Sequence, residues 1–442
     1  MHDVGSLERF QELIRIPTIS RLEASEVDWE QFDLFISTLE RLYPLLHATA
    51  TREVVDGHSL LYHWKGRDST EPTVLLAHYD VVAATDEGWT HPPFAAEVTG
   101  SGEEQILWGR GTLDDKGSLV AILEAVETAL GEGVVPEQDI YLSFGHNEET
   151  TGTGASAIVD ALEDRGIRPA LVLDEGGAVA HDAFPGVARP LAVVGVSEKG
   201  ATLLRLVVDQ KGGHASTPPK LSTTARLARA IVRVNAAPFP SGFNPATLEM
   251  LTTLAPHATG TVGRVLRSLS LTKPLLLRIF SRSDETRAMI QTTQAVTMLD
   301  AGHAANALAE HAEAMVNVRV AVGSSVEEAV SHLRRAIRDD AVAIEVVQPG
   351  EPSPISPTSG RAWRIIAETV GQTHPEAIVT PYVQNGATDS RHFTRIADGV
   401  YRFTPFVMSR EERDTLHAKN ERMRVTSFLR GIEFYRALLD RL

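Results

Sequence analysis

The sequence predicts an α/β fold: a mixed β-sheet layered by helices, with a smaller α+β domain inserted into it. Three observations predict this. From residue 73 to about 195, short apolar runs that end in polar residues alternate with helical patterns, as in a sheet covered by helices. At Lys199-Gly200 the pattern changes character, and Pro352, Pro354 and Pro357 mark a linker back to the first pattern. At 442 residues the chain holds at least two domains of the usual size, roughly 100–200 residues each. The expected organisation is a main domain made of residues 1–197 and 351–442, with residues 198–350 inserted between its two segments as a lid or dimerisation domain.

The elements follow in order. The first twenty residues carry Asp3, Glu8 and Glu12 before any sizeable apolar run, which predicts an amphipathic helix and not a basic-then-apolar leader. Residues 73–78, 139–144 and 170–174 are continuous apolar runs, the mark of buried strands, and each leads into His, Asp or Glu. Leu119, Ile122, Leu123, Val126 and Leu130 recur at helical spacing, so a helix over 117–130 should cover one face of the sheet. Asp114 and Asp115 precede it, where the positive end of the helix dipole favours ionised carboxylates. In the insert, strands are expected at 203–209 and 315–319, with one helix carrying Leu227, Ile231 and Val234 and another over Val326–Ile337. Residues 240–300 are apolar and Pro-containing without a dependable period, and are assigned only as helical elaboration of the insert. The last helices should span 361–370 and 426–439; the chain shows no internal repeat and no low-complexity tract.

Composition narrows the chemistry. Forty-two Lys and Arg against 58 Asp and Glu give a net charge of −16, which repels phosphate backbones, so no nucleic-acid partner is expected. Without cysteine there is no disulfide, thiolate metal site or Cys nucleophile, and any metal must be held by His, Asp and Glu. No apolar run approaches the roughly 18 residues of a membrane span. The most apolar stretch, 271–280, is broken by Lys273, Pro274 and Arg278. The expectation is a soluble, cytoplasmic protein with no membrane partner.

His78-Tyr-Asp80 sets two polar side chains on one side of an extended chain, the pattern of a metal-binding His with an orienting carboxylate. Gly109-Arg-Gly-Thr-Leu-Asp-Asp-Lys-Gly117 gathers three glycines, two carboxylates and a lysine before a helix, without the spacing of a phosphate loop. Glu148-Glu149 and Asp174-Glu175 follow strands, and paired acids repel unless a cation or a shared proton relieves them. Taken singly, His78 reads first as a surface histidine after a strand, and each of the other stretches reads equally well as a solvated turn. Together in one layer they would be electrostatically costly, and a metal centre is the simplest relief. Asp174 and Glu175 are both ligand candidates, but successive strand positions face opposite ways and only one should reach a metal. Asp114 and Asp115 pose the same choice.

These stretches, followed by Leu416-His-Ala-Lys-Asn-Glu421, stand in the order seen in the dinuclear zinc aminoacylase/carboxypeptidase family, which includes succinyl-diaminopimelate desuccinylase, acetylornithine deacetylase, aminoacylase and carnosinase. The chain resembles that family over nearly its whole length. Gly386-Ala-Thr-Asp-Ser-Arg-His392, Val400-Tyr-Arg-Phe403 and the Leu-rich part of the insert look most like the carboxypeptidase S branch, which also holds secreted N-acyl-amino-acid hydrolases/synthases. The resemblance implies a zinc-peptidase-like sheet and two zinc ions, with cobalt or manganese as substitutes. By position His78, Asp114 and Glu175 would hold one ion, and Asp114, Glu149 and His417 the other; the family keeps an acid at the Asp114 position and varies the next. Glu148 resembles the general base that takes a proton from a metal-bridging water and passes it to the leaving amine, and Asp80 the acid that orients His78.

Lys211-Gly-Gly-His-Ala-Ser216 resembles the family's insert motif, in which His214 would donate to the oxyanion, in dimeric relatives from the other subunit. Asn306 and Arg319 look like the Asn and Arg of the insert pattern; Asn306 would contact substrate, while Arg319 is equally a structural residue. Arg391 is a candidate clamp for a substrate carboxylate and equally a surface arginine. Asn147, Ala309, Val322 and Ala83 depart from the usual pattern without removing a ligand. The implied activity is hydrolysis of the amide of short peptides or N-acyl amino acids that carry a free C-terminal carboxylate, either by a homodimer paired through the insert or by a single chain whose enlarged insert supplies equivalent contacts. Alternatives are a dipeptidase, a biosynthetic deacetylase or desuccinylase, or a catalytically silent binding protein.

Overall fold

The computed structural model describes residues 2–442, and among these ten strands form the main sheet. Its order is Thr51–Val55, Ser59–Trp64, Gln138–Gly145, Asp68–His78, Leu171–Asp174, Val400–Arg402, Leu191–Glu198, Val179–Ala180 and Val407–Met408, with Ile378–Gln384 also paired to Leu191–Glu198. Gln138–Gly145, Asp68–His78, Leu171–Asp174 and Val400–Arg402 run parallel, and an antiparallel hairpin forms one edge. The register pairs His78 with Gly145 and Arg402 with Asp174, so the polar ends of neighbouring strands finish side by side. In open parallel sheets, the crevice beyond these carboxyl ends is where sites form.

The buried strands are apolar on both faces because both faces are covered. On one side Leu61, Val74, Leu76, Tyr141 and Val172 pack against Ile158, Val159 and Leu162 of helix Gly154–Asp164. On the other lies helix Lys116–Gly131, buried from Lys116 through Val126 instead of along one stripe as expected. Helices His2–Ile14, Pro44–Thr49 and Val425–Leu439 close over its outer side. That closure withdraws the Glu124 carboxylate from water, where it accepts from Arg9 Nε at 2.6 Å, Ser6 Oγ at 2.7 Å and the Tyr43 hydroxyl at 2.9 Å. A buried carboxylate is tolerated only with such partners.

The chain leaves the main sheet after Glu198 and enters an antiparallel sheet of order Thr293–Ala301, His311–Val320, Gly200–Asp209, Ala343–Gln348. Leu204, Leu206 and Val208 with Ala314, Val316 and Val318 face helices Thr223–Asn235 and Val326–Ile337. The outgoing and returning segments cross closely: a Cβ on Gly200 would stand 2.1 Å from the Gly350 carbonyl oxygen, and one on Gly350 would stand 2.2 Å from that of Ala201. Only glycine fits such an approach.

Residues 240–300 depart from their assignment. They form helices Pro245–Leu254, Gly260–Arg267, Leu269–Phe280 and Asp284–Ala288, then the edge strand Thr293–Ala301 of the insert sheet. The helices are not an elaboration of the insert's own layer. Met250, Leu251, Leu254, Leu266, Leu276 and Phe280 cluster with Val187, Leu191 and Ile378 of the main sheet region. The period was unreadable because Leu269–Phe280 carries apolar residues on both its packed and its exposed sides. Among the described residues no helix is long and apolar enough to cross a membrane.

Candidate metal centre

Five separate segments bring the predicted ligands together. His78 ends its strand, Asp114 sits in the loop before helix Lys116–Gly131, and Glu148 and Glu149 open the turn Glu148–Thr150. Glu175 follows Leu171–Asp174, and His417 lies in the loop before strand Arg422–Arg424 with φ of +55°. Ligand atoms of His78, Asp114 and Glu175 fall within 4.8 Å of one another, as do those of Asp114, Glu149 and His417. Asp114 is common to both triads: its Oδ1 lies 3.0 Å from His78 Nε2 and its Oδ2 2.9 Å from His417 Nε2. His417 Nε2 is also 3.0 Å from Glu149 Oε2.

The choice between Asp174 and Glu175 follows from backbone contacts. Asp174 is turned away, accepting from the backbone N–H of Glu175 at 2.9 Å and of Ser390 at 2.8 Å, so Glu175 alone joins the triad. Asp115 is fully buried near Ser118 and Tyr435 and belongs to neither triad, although its charge is felt by His78, Asp114 and Glu175. Asp80 acts differently from the simple orienting role. His78 Nδ1 bonds the Asp80 carbonyl at 3.0 Å, while the Asp80 carboxylate, 3.4 Å from Nδ1, accepts the backbone N–H of Glu148 and of Glu149, each at 3.1 Å. One fully buried residue thus aims His78 and both glutamates.

Two further groups escaped the sequence reading. Glu421 accepts from the Leu113 N–H at 2.8 Å and the Asp114 N–H at 3.3 Å and pairs with buried Arg110, which donates to the Ala418 carbonyl at 3.0 Å. This pair ties the Asp114 loop to the His417 loop. Asp389 lies against Gly145, where a Cβ would meet its carboxylate at 2.5 Å, and burial with the Asp174 charge pushes its carboxyl up to about 7. Only the position of Glu421 in the His417 stretch, and of Asp389 beside Arg391, hinted at either.

The electrostatics are those of a site short of positive charge. Burial, then neighbouring acids, pushes the carboxyls of Glu148 and Glu175 well above their ordinary range, and burial raises Glu149 as well. Burial opposes ionisation of Asp114, yet hydrogen bonds from His417 and His78 hold it far below the usual range. Those same bonds from Asp114 and Glu149 lift His417 to about 10, and Asp114 and Asp80 lift His78 despite its burial. Glu149 Oε1 is buried without a hydrogen-bond partner. Nitrogen and oxygen donors in two triads, one carboxylate common to both and one oxygen unsatisfied, fit a pair of divalent cations.

The insert residues are placed elsewhere. Strands Gly213–His214 and Ala307–Leu308 pair, which brings His214 opposite Ala307 and lets the Ala215 N–H donate to the Asn306 carbonyl at 3.1 Å. His214 and Asn306 are together and exposed, with no polar contact to the triads among the described residues. Arg391 is half-buried, donating to the Thr388 carbonyl at 3.0 Å. Its charge, after burial, depresses the guanidinium of Arg319 from the insert, so the two cations meet at the seam between the domains.

Carboxylates and imidazoles thus converge at the ends of parallel strands, with a further acid beside them and an α+β insert attached. The chain belongs to the peptidase family M20/M25/M40, whose model matches residues 74–441. It is 34% identical over 444 residues to the human N-fatty-acyl-amino acid synthase/hydrolase PM20D1, covering 99% of this chain and 88% of that protein. It is 30% identical over 485 residues to carboxypeptidase S of Saccharomyces cerevisiae, covering 97% and 83%. Among solved structures it superposes on the M20 family metallo-carboxypeptidase Sso-CP2 of Sulfolobus solfataricus with a TM-score of 0.71 at 18% identity, covering 98% of each chain.

Proposed function

We propose that this hydrolase cleaves the amide of N-acyl amino acids or short peptides that carry a free C-terminal carboxylate, using two zinc ions. The pair of triads joined by Asp114 carries the reading. His78, Asp114 and Glu175 would hold one ion, and Asp114, Glu149 and His417 the other. When bound, such a pair supplies Lewis-acid polarisation of the amide oxygen and a water made acidic near neutral pH. The protein's own groups do the rest. Glu148, held by Asp80 through its backbone and withdrawn from water, is the general base: it accepts a proton at its carboxylate and returns it to the departing amine nitrogen. His214 donates to the developing oxyanion, Asn306 contacts the substrate, and Arg391 takes the substrate carboxylate. The exposure of His214 and Asn306 supports a homodimer in which the insert of a second copy completes each site. The similarity to an N-fatty-acyl-amino acid synthase/hydrolase favours N-acyl amino acids over dipeptides.

The test is metal content together with cleavage of N-acetyl, N-long-acyl and dipeptide substrates, before and after chelation and zinc return. About two zincs per chain, with cleavage lost on chelation and restored by zinc, is the expected result. Metal bound without turnover on any substrate would overturn the reading.

A further inference from the structure

The most apolar stretch of the sequence has no part in the chemistry above. Helix Leu269–Phe280 packs Leu276 and Phe280 into the cluster on the main domain, yet also exposes Leu271 at 84%, Leu275 at 51% and Ile279 at 45%. Positions 271, 275, 278 and 279 share one helical face, so these aliphatics and Arg278 form a single outward stripe. Isolated exposed leucines are ordinary, but a helix apolar on its inner and its outer sides has a second face to cover.

The charge around this stripe is unlike the rest of the chain. No acidic residue occurs between Glu249 and Asp284, while Arg264, Arg267, Lys273, Arg278 and Arg282 all fall there, in a protein of net charge −16. All five are exposed, and among the described residues none has an ion-pair partner; Arg264 and Arg267 make only 3.4 Å contacts to neutral oxygens. We propose that the face formed by helices Gly260–Arg267 and Leu269–Phe280 docks peripherally on an anionic lipid bilayer. Aliphatic side chains enter the headgroup boundary while surrounding cations meet lipid phosphates and carboxylates. A second copy is a poor occupant, since a two-fold contact would set the same five cations against themselves. This docking is peripheral, since among the described residues no helix is long and apolar enough to cross a membrane, and it revises the expectation that no membrane takes part.

The test is co-flotation of the full-length protein with vesicles of phosphatidylcholine alone or mixed with phosphatidylglycerol. Binding is expected only to the mixed vesicles, with partitioning falling up to about fivefold for each of Arg264, Arg267, Lys273, Arg278 and Arg282 changed to Gln, and release at about 0.5 M salt. The triple variant L271S/L275S/I279S should lose vesicle binding while keeping its circular dichroism and its hydrolysis of soluble substrates. Equal binding to both vesicle types, no binding to either, or a triple variant that binds normally would overturn the inference. So would a fall in sedimenting mass in the triple variant, which would assign the face to contact between copies. Since the docking makes no use of the metal-site reading, vesicle binding and substrate cleavage can fail separately.

Discussion

The metal cluster and the insert loop with His214 are held in opposite ways. His78 is 1% exposed and Asp80 fully buried, and around them backbone N–H groups, Glu421 and Arg110 fix each ligand loop. His214 sits on a two-residue ladder and Asn306 just before its partner strand, both exposed, with one hydroxyl contact to the His214 ring. The difference follows from charge. Acids that repel one another keep a common geometry only when every neighbour is fixed, whereas the substrate-meeting role proposed for His214 requires a side chain free to arrive from a separate domain.

That contrast can be broken in order of effect. Glu148→Gln should lower kcat by about 10²- to 10⁴-fold with metal content unchanged, as seen by steady-state kinetics and metal analysis together. A variant that keeps most of its activity would remove Glu148 from the chemistry. His214→Ala should cost on the order of 10²-fold or more in kcat, while melting temperature and metal content stay put because the side chain is exposed and unattached to the cluster. If metal is lost instead, the two regions are not separate. Glu421→Gln should behave in the opposite sense, weakening metal affinity about 10- to 100-fold by releasing the Asp114 and His417 loops. Chelator competition reads it directly, and unchanged affinity would make the pair with Arg110 merely structural.

The smallest effect concerns pH and the main domain alone. His374 is fully buried beside Thr373, and burial, with the Arg430 charge, pushes its imidazole from 6.5 down to about 4. Between those values the unfolded chain takes up a proton that the folded chain refuses. Stability is therefore intact above about 6.5 and is lost as pH falls towards 4. The melting temperature of His374→Asn should fall less than that of the parent chain between pH 7 and pH 5; equal falls would place the acid sensitivity elsewhere, for instance at His392, shifted the same way.

Legibility followed the range of each interaction. Continuous apolar runs leading into His, Asp or Glu gave the strands, and the observed Asp68–His78, Gln138–Gly145 and Leu171–Asp174 differ from the expected bounds by only a few residues. Helix Val326–Ile337 matched to the residue because one clean stripe lies between a Ser325 cap and exposed arginines. Helix Leu269–Phe280 was opaque because its outer side is apolar too. Arg110 and Glu421, 311 residues apart in sequence, could not be paired by any local period.

By itself, then, the sequence determined which residue types stand at the strand ends, that thiolate ligands are excluded, and that acids outnumber cations, because these are fixed by composition and by periods of two and 3.6 residues. Only the tertiary structure decided between Asp174 and Glu175, gave Asp80 its three contacts, and laid the 245–288 helices on the main domain. Each of those depends on which distant backbone group reaches a side chain first, and that is a property of packing with no local signature.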